Sequence, residues 1–288
     1  MGLLLNLVLG GIAYSGLLFL VASGFTLIFG LLRIANLAHG AFYLIGAYIG
    51  YDIVRRFGGT NLGFVLSALG ATLGMGLFGV ILERVVLRLV RGQELPEVLI
   101  TVGLSLIMAD LALVFFTSEP VTFPSPPFLE GHLSIGSFVL PFDHLFVFLL
   151  SVVVAIGLWL LTAKTRVGAI IRAGVDDAEM VSALGINIKA VFTGVFFLGA
   201  SLAGLAGVSG ALILGISPGD DSLILRLGLV VVILGGLGSL AGAVTGSVLV
   251  GLIFSLGTVY LPELQYFLLF APMVVMLAVR PRGLFGRA

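Results

Sequence analysis

The chain has 288 residues, 60% of them hydrophobic and only 10% charged, with 14 basic and 14 acidic side chains. A water-soluble fold has nowhere to hide that much apolar surface, which excludes the soluble classes and leaves a protein dissolved in lipid. Cysteine is absent, which excludes disulfides, thiolate metal sites and cysteine nucleophiles.

Lipid offers backbone polar groups no partner, so a spanning chain must be helical or a closed barrel. Barrels alternate polar and apolar residues. This chain instead has long apolar runs, such as 145–161 and 191–216, near the length a helix needs to cross a core of about 30 Å. The 41 glycines fit the same reading, because small residues let helices approach closely in lipid.

Apolar segments are predicted near residues 3–30, 37–54, 61–82, 97–117, 144–163, 190–215, 223–235, 241–261 and 264–279. The expected fold is an all-α polytopic transmembrane bundle, one domain over residues 1–288, with about eight to nine membrane segments including interrupted or re-entrant helices. The first segment has no basic leader and no polar region following it, so it reads as a retained helix rather than a cleaved signal.

Between the first two segments lies a polar break, residues 33–40, carrying Arg33, Asn36, His39 and Gly40. Intramembrane polar groups are costly, and an interrupted helix exposes backbone donors and acceptors to a substrate. The same residues could equally mark an interfacial turn. Asp110, in an apolar run with no basic residue within a helical turn, suits either a proton relay or a water-facing acid packed against a neighbouring polar group.

Arg and Lys concentrate in three clusters: Arg84, Arg88 and Arg91; Lys164, Arg166, Arg172 and Lys189; and Arg280, Arg282 and Arg287. The positive-inside rule assigns all three to the cytoplasm. Residues 118–143 and 217–222 contain neither Lys nor Arg and are expected outside. This parity gives an external N-terminus and a cytoplasmic C-terminus, with Arg55 and Arg56 external against the trend. The proline-rich 118–143 stretch reads as a stiff connecting loop or as a docking surface for an external partner.

Residues 164–189 are too polar to span and too patterned for a slack linker. Asp176 and Asp177 can cap a short helix over 178–184, which Gly185 terminates, with Met180, Val181 and Leu184 as one apolar stripe. Residues 235–242, Gly-Gly-Leu-Gly-Ser-Leu-Ala-Gly, form a second break. It has a faint likeness to Asn36-Leu37-Ala38-His39-Gly40-Ala41, of the kind internal transporter repeats leave.

The acidic-Ala helix followed by Leu184-Gly185-Ile186-Asn187 resembles the coupling loop of ABC importer permeases. Several other segments look like high-affinity branched-chain amino acid permeases: Asn36-Leu37-Ala38-His39-Gly40 with Gly46-Ala47-Tyr48, Glu83-Arg84, Thr165-Arg166-Val167-Gly168, and Gly204-Leu205-Ala206-Gly207. So do Gly235-Gly236-Leu237-Gly238-Ser239 with Gly242-Ala243, and the ending Arg280-Pro281-Arg282-Gly283-Leu284-Phe285-Gly286. The order and spacing of these motifs carry the resemblance, which is closest to the shorter of the two paired permease subunits. Val175-Asp176-Asp177 is less charged than relatives often are, and permeases for urea, amides and other small solutes share most of the motifs.

The resemblance implies a non-enzymatic permease in a prokaryotic inner membrane, pairing as a hetero- or homodimer with two cytoplasmic ATP-binding subunits and an external substrate-binding protein. It implies no cofactor of its own, ATP being bound by the partner subunits, and no metal or nucleic acid. Coupling would fall to Asp176, Asp177, Glu179, Val181, Ser182, Leu184 and Gly185. The path would be lined by Asn36, His39, Gly40, Gly235, Gly236, Gly238 and Ser239. Consistently, the chain lacks a G-x-x-x-x-G-K-[ST] phosphate loop; its nearest approach, Ala163-Lys164-Thr165, ends an apolar helix. An ion-coupled secondary transporter using Asp110 or His39 is the rival class. An intramembrane enzyme is disfavoured by histidines scattered at 39, 132 and 144.

Overall fold

The computed structural model of the chain describes residues 2–32, 36–90, 92–135, 138–280 and 282–286. Arg33, Arg91 and Arg287 lie outside the described residues. Eleven α-helices are described: α1 (Gly2–Leu32), α2 (His39–Arg56), α3 (Asn61–Val85), α4 (Glu94–Phe115), α5 (Phe142–Lys164), α6 (Arg166–Asp176), α7 (Ala178–Ala183), α8 (Ile188–Leu214), α9 (Asp220–Gly235), α10 (Leu240–Tyr260) and α11 (Gln265–Val279). Each of the nine predicted segments is a helix. Seven are long and apolar enough to cross a membrane, the last counted over Pro262–Val279; α2 and α9 are the two that are not. The protein is an all-α, multi-pass membrane bundle.

α1 and α8 form its centre and pack against each other, with α2 against α8, α9 against α1, and α2 and α9 against one another. α3 lies along α2 and α8, α10 lies along α1 and α9, and α4 rests on α2. Glycine makes these contacts possible. A Cβ on Gly204 of α8 would meet the Ala71 carbonyl oxygen of α3, and one on Gly46 of α2 would lie 2.6 Å from the Gly204 Cα. Between α1 and α10, a Cβ on Gly11 would lie 3.0 Å from the Gly251 carbonyl oxygen, while Ser255 donates to the Leu7 carbonyl at 2.7 Å. Where lipid supplies no hydrophobic drive, such close approach supplies the dispersion contacts that hold helices together.

The 118–143 stretch is more structured than a plain proline-rich loop. It contains an antiparallel hairpin, β1 (His132–Ile135) and β2 (Phe138–Pro141), with Leu133 opposite Leu140. Val121 exchanges two backbone hydrogen bonds of 2.9 Å with Ile216, tying this stretch to the α8–α9 connection. Proline blocks helix but tolerates edge strands, which is why the local composition conceals the hairpin. The two stretches free of Lys and Arg therefore sit at one end of the bundle.

The basic clusters gather at the other end. Arg84, in the last turn of α3, and Arg88, just beyond it, face Lys189, in the first turn of α8, across a shared cavity. The 282–286 tail docks on the end of α9, with Leu284 and Phe285 donating to the carbonyls of Leu234 and Gly235 at 3.0 and 2.9 Å. Arg55 and Arg56, at the opposite end, are partly neutralised by Asp52, 3.9 and 2.8 Å away.

Candidate functional site: two helix breaks and a folded loop

The first break is a re-entry into the bundle. The His39 Nε2 lies 3.0 Å from the Val21 carbonyl oxygen, and a Cβ on Gly24 would touch the same ring. Val21 is eleven residues before Leu32, the end of α1. At 1.5 Å per residue, about 16 Å of α1 runs past the level of His39. The chain therefore turns back inside, and α2 starts at mid-depth.

Asn36 and His39 are each 1% exposed. The Asn36 Oδ1 accepts from the Ala38 N–H at 3.2 Å, which folds the residues just before α2. Because Val21 offers only a carbonyl, the Nε2 of His39 is its donor, leaving Nδ1 as an acceptor in the neutral ring. Among the described residues, that Nδ1 and the Asn36 Nδ2 have no hydrogen-bond partner. Phe25 and Phe42 hold the imidazole, with ring centroids at 5.7 and 6.5 Å. Two unsatisfied polar atoms in an aromatic setting are costly and call for a function.

The second break is a tight turn between α9 and α10. Gly236 and Gly238 have φ of 106° and 80°, which a side chain would strain. Ser239 caps α10 by accepting from the Gly242 N–H at 3.1 Å. Cβ atoms on Gly235 and Gly242 would each collide with the other's backbone. The likeness between the two breaks thus has a local basis: each sets a polar side chain, Asn36 or Ser239, to accept a backbone N–H at the start of a helix.

The structure does not bring the two breaks into one site. Gly238 packs on Gly30, near the end of α1, while His39 sits at Val21 and Gly24. Six to nine helical residues separate these levels, about 9–13 Å along α1. Gly40 instead meets the start of α9, where its Cβ would run into the Asp221 carbonyl oxygen and lie 2.9 Å from Leu225. Asp221 is itself buried.

Asp110 lies on the exposed side of α4, between the outward Leu106 and Val114, with no hydrogen bond or ion pair among the described residues.

Residues 164–189 fold as two helices. α6, not expected from the sequence, doubles back beneath α5. Thr165 caps it by accepting from the Gly168 N–H at 3.1 Å, and a Cβ on Gly168 would strike the carbonyl oxygens of Leu161 and Thr162. Arg172 donates to the Thr162 carbonyl. The Thr-Arg-Val-Gly motif is therefore a reversal that needs a cap at its first position and a bare backbone at its fourth.

α7 begins as predicted, with the Asp177 carboxylate accepting from the Met180 N–H at 2.9 Å. Gly185, at φ 82°, stops it. Asp176 ends α6, and its side chain lies outside the described residues. The expected stripe divides: Val181 is 4% exposed, whereas Met180 and Leu184 are 64% and 74% exposed. Residues one apart point about 100° from each other, while residues four apart share a face. Val181 anchors α7, and Met180 with Leu184 forms an apolar knob, flanked by the exposed Glu179 and Ser182. Asp177→Ala is expected to remove about 1 kcal/mol of helix stability. Amide hydrogen exchange should accelerate across 178–184 and not in α8.

A multi-pass bundle with a re-entrant helix start and a two-helix loop at one end has the build of a membrane permease. Comparison with known families agrees: residues 7–277 match the family described as branched-chain amino acid transport system, permease component, and the chain belongs to it. It is similar to the high-affinity branched-chain amino acid transport system permease protein BraD of Pseudomonas aeruginosa, at 29% identity over 98% of this chain and 96% of BraD. It is equally similar to LivH of Escherichia coli K12, at 29% over 96% and 94% of the two chains. A probable LivH of Methanocaldococcus jannaschii is 29% identical over 88% and 80%. No solved structure matches the chain.

Proposed function

We propose that this permease is the translocating subunit of an ATP-driven importer for branched-chain amino acids in a prokaryotic inner membrane. Its partners would be a second permease subunit, two cytoplasmic ATP-binding subunits and an external binding protein. The observation that carries the reading is the Met180–Leu184 knob, apolar and exposed on a capped helix at the basic end of a chain of this family. A buried anchor and an exposed knob on one short helix suit a lever that a soluble partner grips.

In this reading the N-terminus is external and the C-terminus cytoplasmic, which follows the three basic clusters. Asn36, His39 and Gly40 border the path at mid-depth, with Asn36 offering a donor and His39 an acceptor. Of the second break, Gly235 and Gly236 serve helix packing, and Gly238 and Ser239 border the path's basic end.

The test is uptake by proteoliposomes containing the chain with its second permease, both ATPases and the binding protein. ATP-dependent leucine uptake, competed by isoleucine and valine and not by urea or acetamide, is expected. Uptake by the chain alone, driven by a proton or sodium gradient, would overturn the proposal.

A further inference from the structure

A cavity of about 420 Å³ opens between the end of α3 and the start of α8, lined by Glu83, Arg84, Arg88, Asn187, Lys189 and Thr193 among others. Its charges are unequal: three cations stand against one carboxylate. Glu83 is 5% exposed, and its Oε2 accepts from the Thr193 hydroxyl at 2.8 Å, so the carboxylate is turned into the protein. Arg84, Arg88 and Lys189 are exposed and form no ion pair among the described residues. Asn187 caps α8 by accepting from the Ala190 N–H, so the first turn of a 27-residue helix also adds its positive end to the cavity wall. The cavity is built to attract an anion.

What lies beside it identifies the anion. Along α3 and the short helical turn that follows it, Leu73, Leu77, Ile81, Val85 and Leu89 recur every fourth residue, each 52–78% exposed. This outward apolar stripe leads directly to Arg84 and Arg88. An isolated phosphate would use only the cavity; a phospholipid would use both, with acyl chains on the stripe and its phosphate among the cations. We propose that the cavity is a binding site for the headgroup of an anionic phospholipid from the leaflet at the basic end of the bundle. Because Asn187 and Lys189 directly follow the α6–α7 loop, an occupied site would brace the end of that loop against α3.

The test is native mass spectrometry of the detergent-purified full chain titrated with phosphatidylglycerol, phosphatidylcholine or inorganic phosphate. Phosphatidylglycerol should bind preferentially. Each removed cation should weaken it about fivefold, so that Arg84→Ala/Arg88→Ala weakens it about twenty-five-fold. Arg84→Lys/Arg88→Lys should retain most of the binding, and Arg55→Ala/Arg56→Ala, at the opposite end, should bind as the parent does. Should the double alanine variant not purify, Lys189→Ala alone must still show the fivefold loss. The proposal is overturned if the alanine variants hold phosphatidylglycerol normally, or if phosphatidylcholine binds equally. It is also overturned if inorganic phosphate competes as strongly as the lipid, which would mark a site for free anions.

Discussion

Gly204→Val is expected to destabilise the bundle by about 3 kcal/mol, by forcing apart helices whose backbones already touch there. Gly204 is where three helices meet: its own Cβ would strike the Ala71 carbonyl of α3, and the Cα of Gly204 already faces the position a Cβ would take on Gly46 of α2. Valine adds three carbons where there is room for none. The obstructing atoms are backbone, which cannot rotate aside, so α3 and α8 must separate along their length. Overpacking a well-filled core typically costs about 1–3 kcal/mol, and a contact against backbone on two sides belongs at the upper end. Thermal unfolding in detergent and the yield of monodisperse protein would report the loss. The matching control is Gly103→Ala on α4. A Cβ there has nothing within 4 Å. Because alanine is favoured over glycine within a helix by up to about 1 kcal/mol, that variant should be as stable as the parent or more so. Equal tolerance at both positions would mean that glycine in this bundle reflects composition rather than close packing.

This contrast marks where the sequence was legible. Nine apolar segments were readable because the bilayer makes length and hydropathy nearly sufficient, and all nine are helices. The grouping of basic clusters at one end was readable for a similar reason, since charge is confined to the ends. The depth at which α2 begins was not, because it depends on the His39 ring reaching back to Val21, a contact across the break. The α6 helix was missed because its helical content is set by a cap at Thr165 and by Arg172 reaching the Thr162 carbonyl, both dependent on the chain reversing. The β1–β2 hairpin was hidden among prolines. Both breaks read in sequence as lining one path, and only the positions of Gly30 and Val21 along α1 show that they lie at different levels.

The division of the α7 stripe makes the coupling proposal sharper, because buried and exposed members of one short helix should fail in different ways. Met180→Glu/Leu184→Glu places charge on the exposed knob, where solvent accommodates it, so the permease should purify with unchanged thermal stability. In the assembled transporter, substrate-stimulated ATP hydrolysis should fall at least about tenfold, the equivalent of losing 1.4 kcal/mol at an interface where apolar anchors dominate. Val181→Asp should behave in the opposite order. Its side chain is 4% exposed, so a carboxylate there is buried without a partner. That loosens α7 from the bundle before any partner is present and appears as faster amide exchange in the isolated chain. If charge on the knob leaves stimulated hydrolysis intact while Val181→Asp abolishes it, α7 is only a packed strut, and the gripping surface must be sought elsewhere on the basic end. If both pairs of outcomes follow as expected, α7 together with its C-terminal cap Leu184 acts as a lever. Val181 is its fulcrum in the membrane domain, and Met180 with Leu184 is its handle.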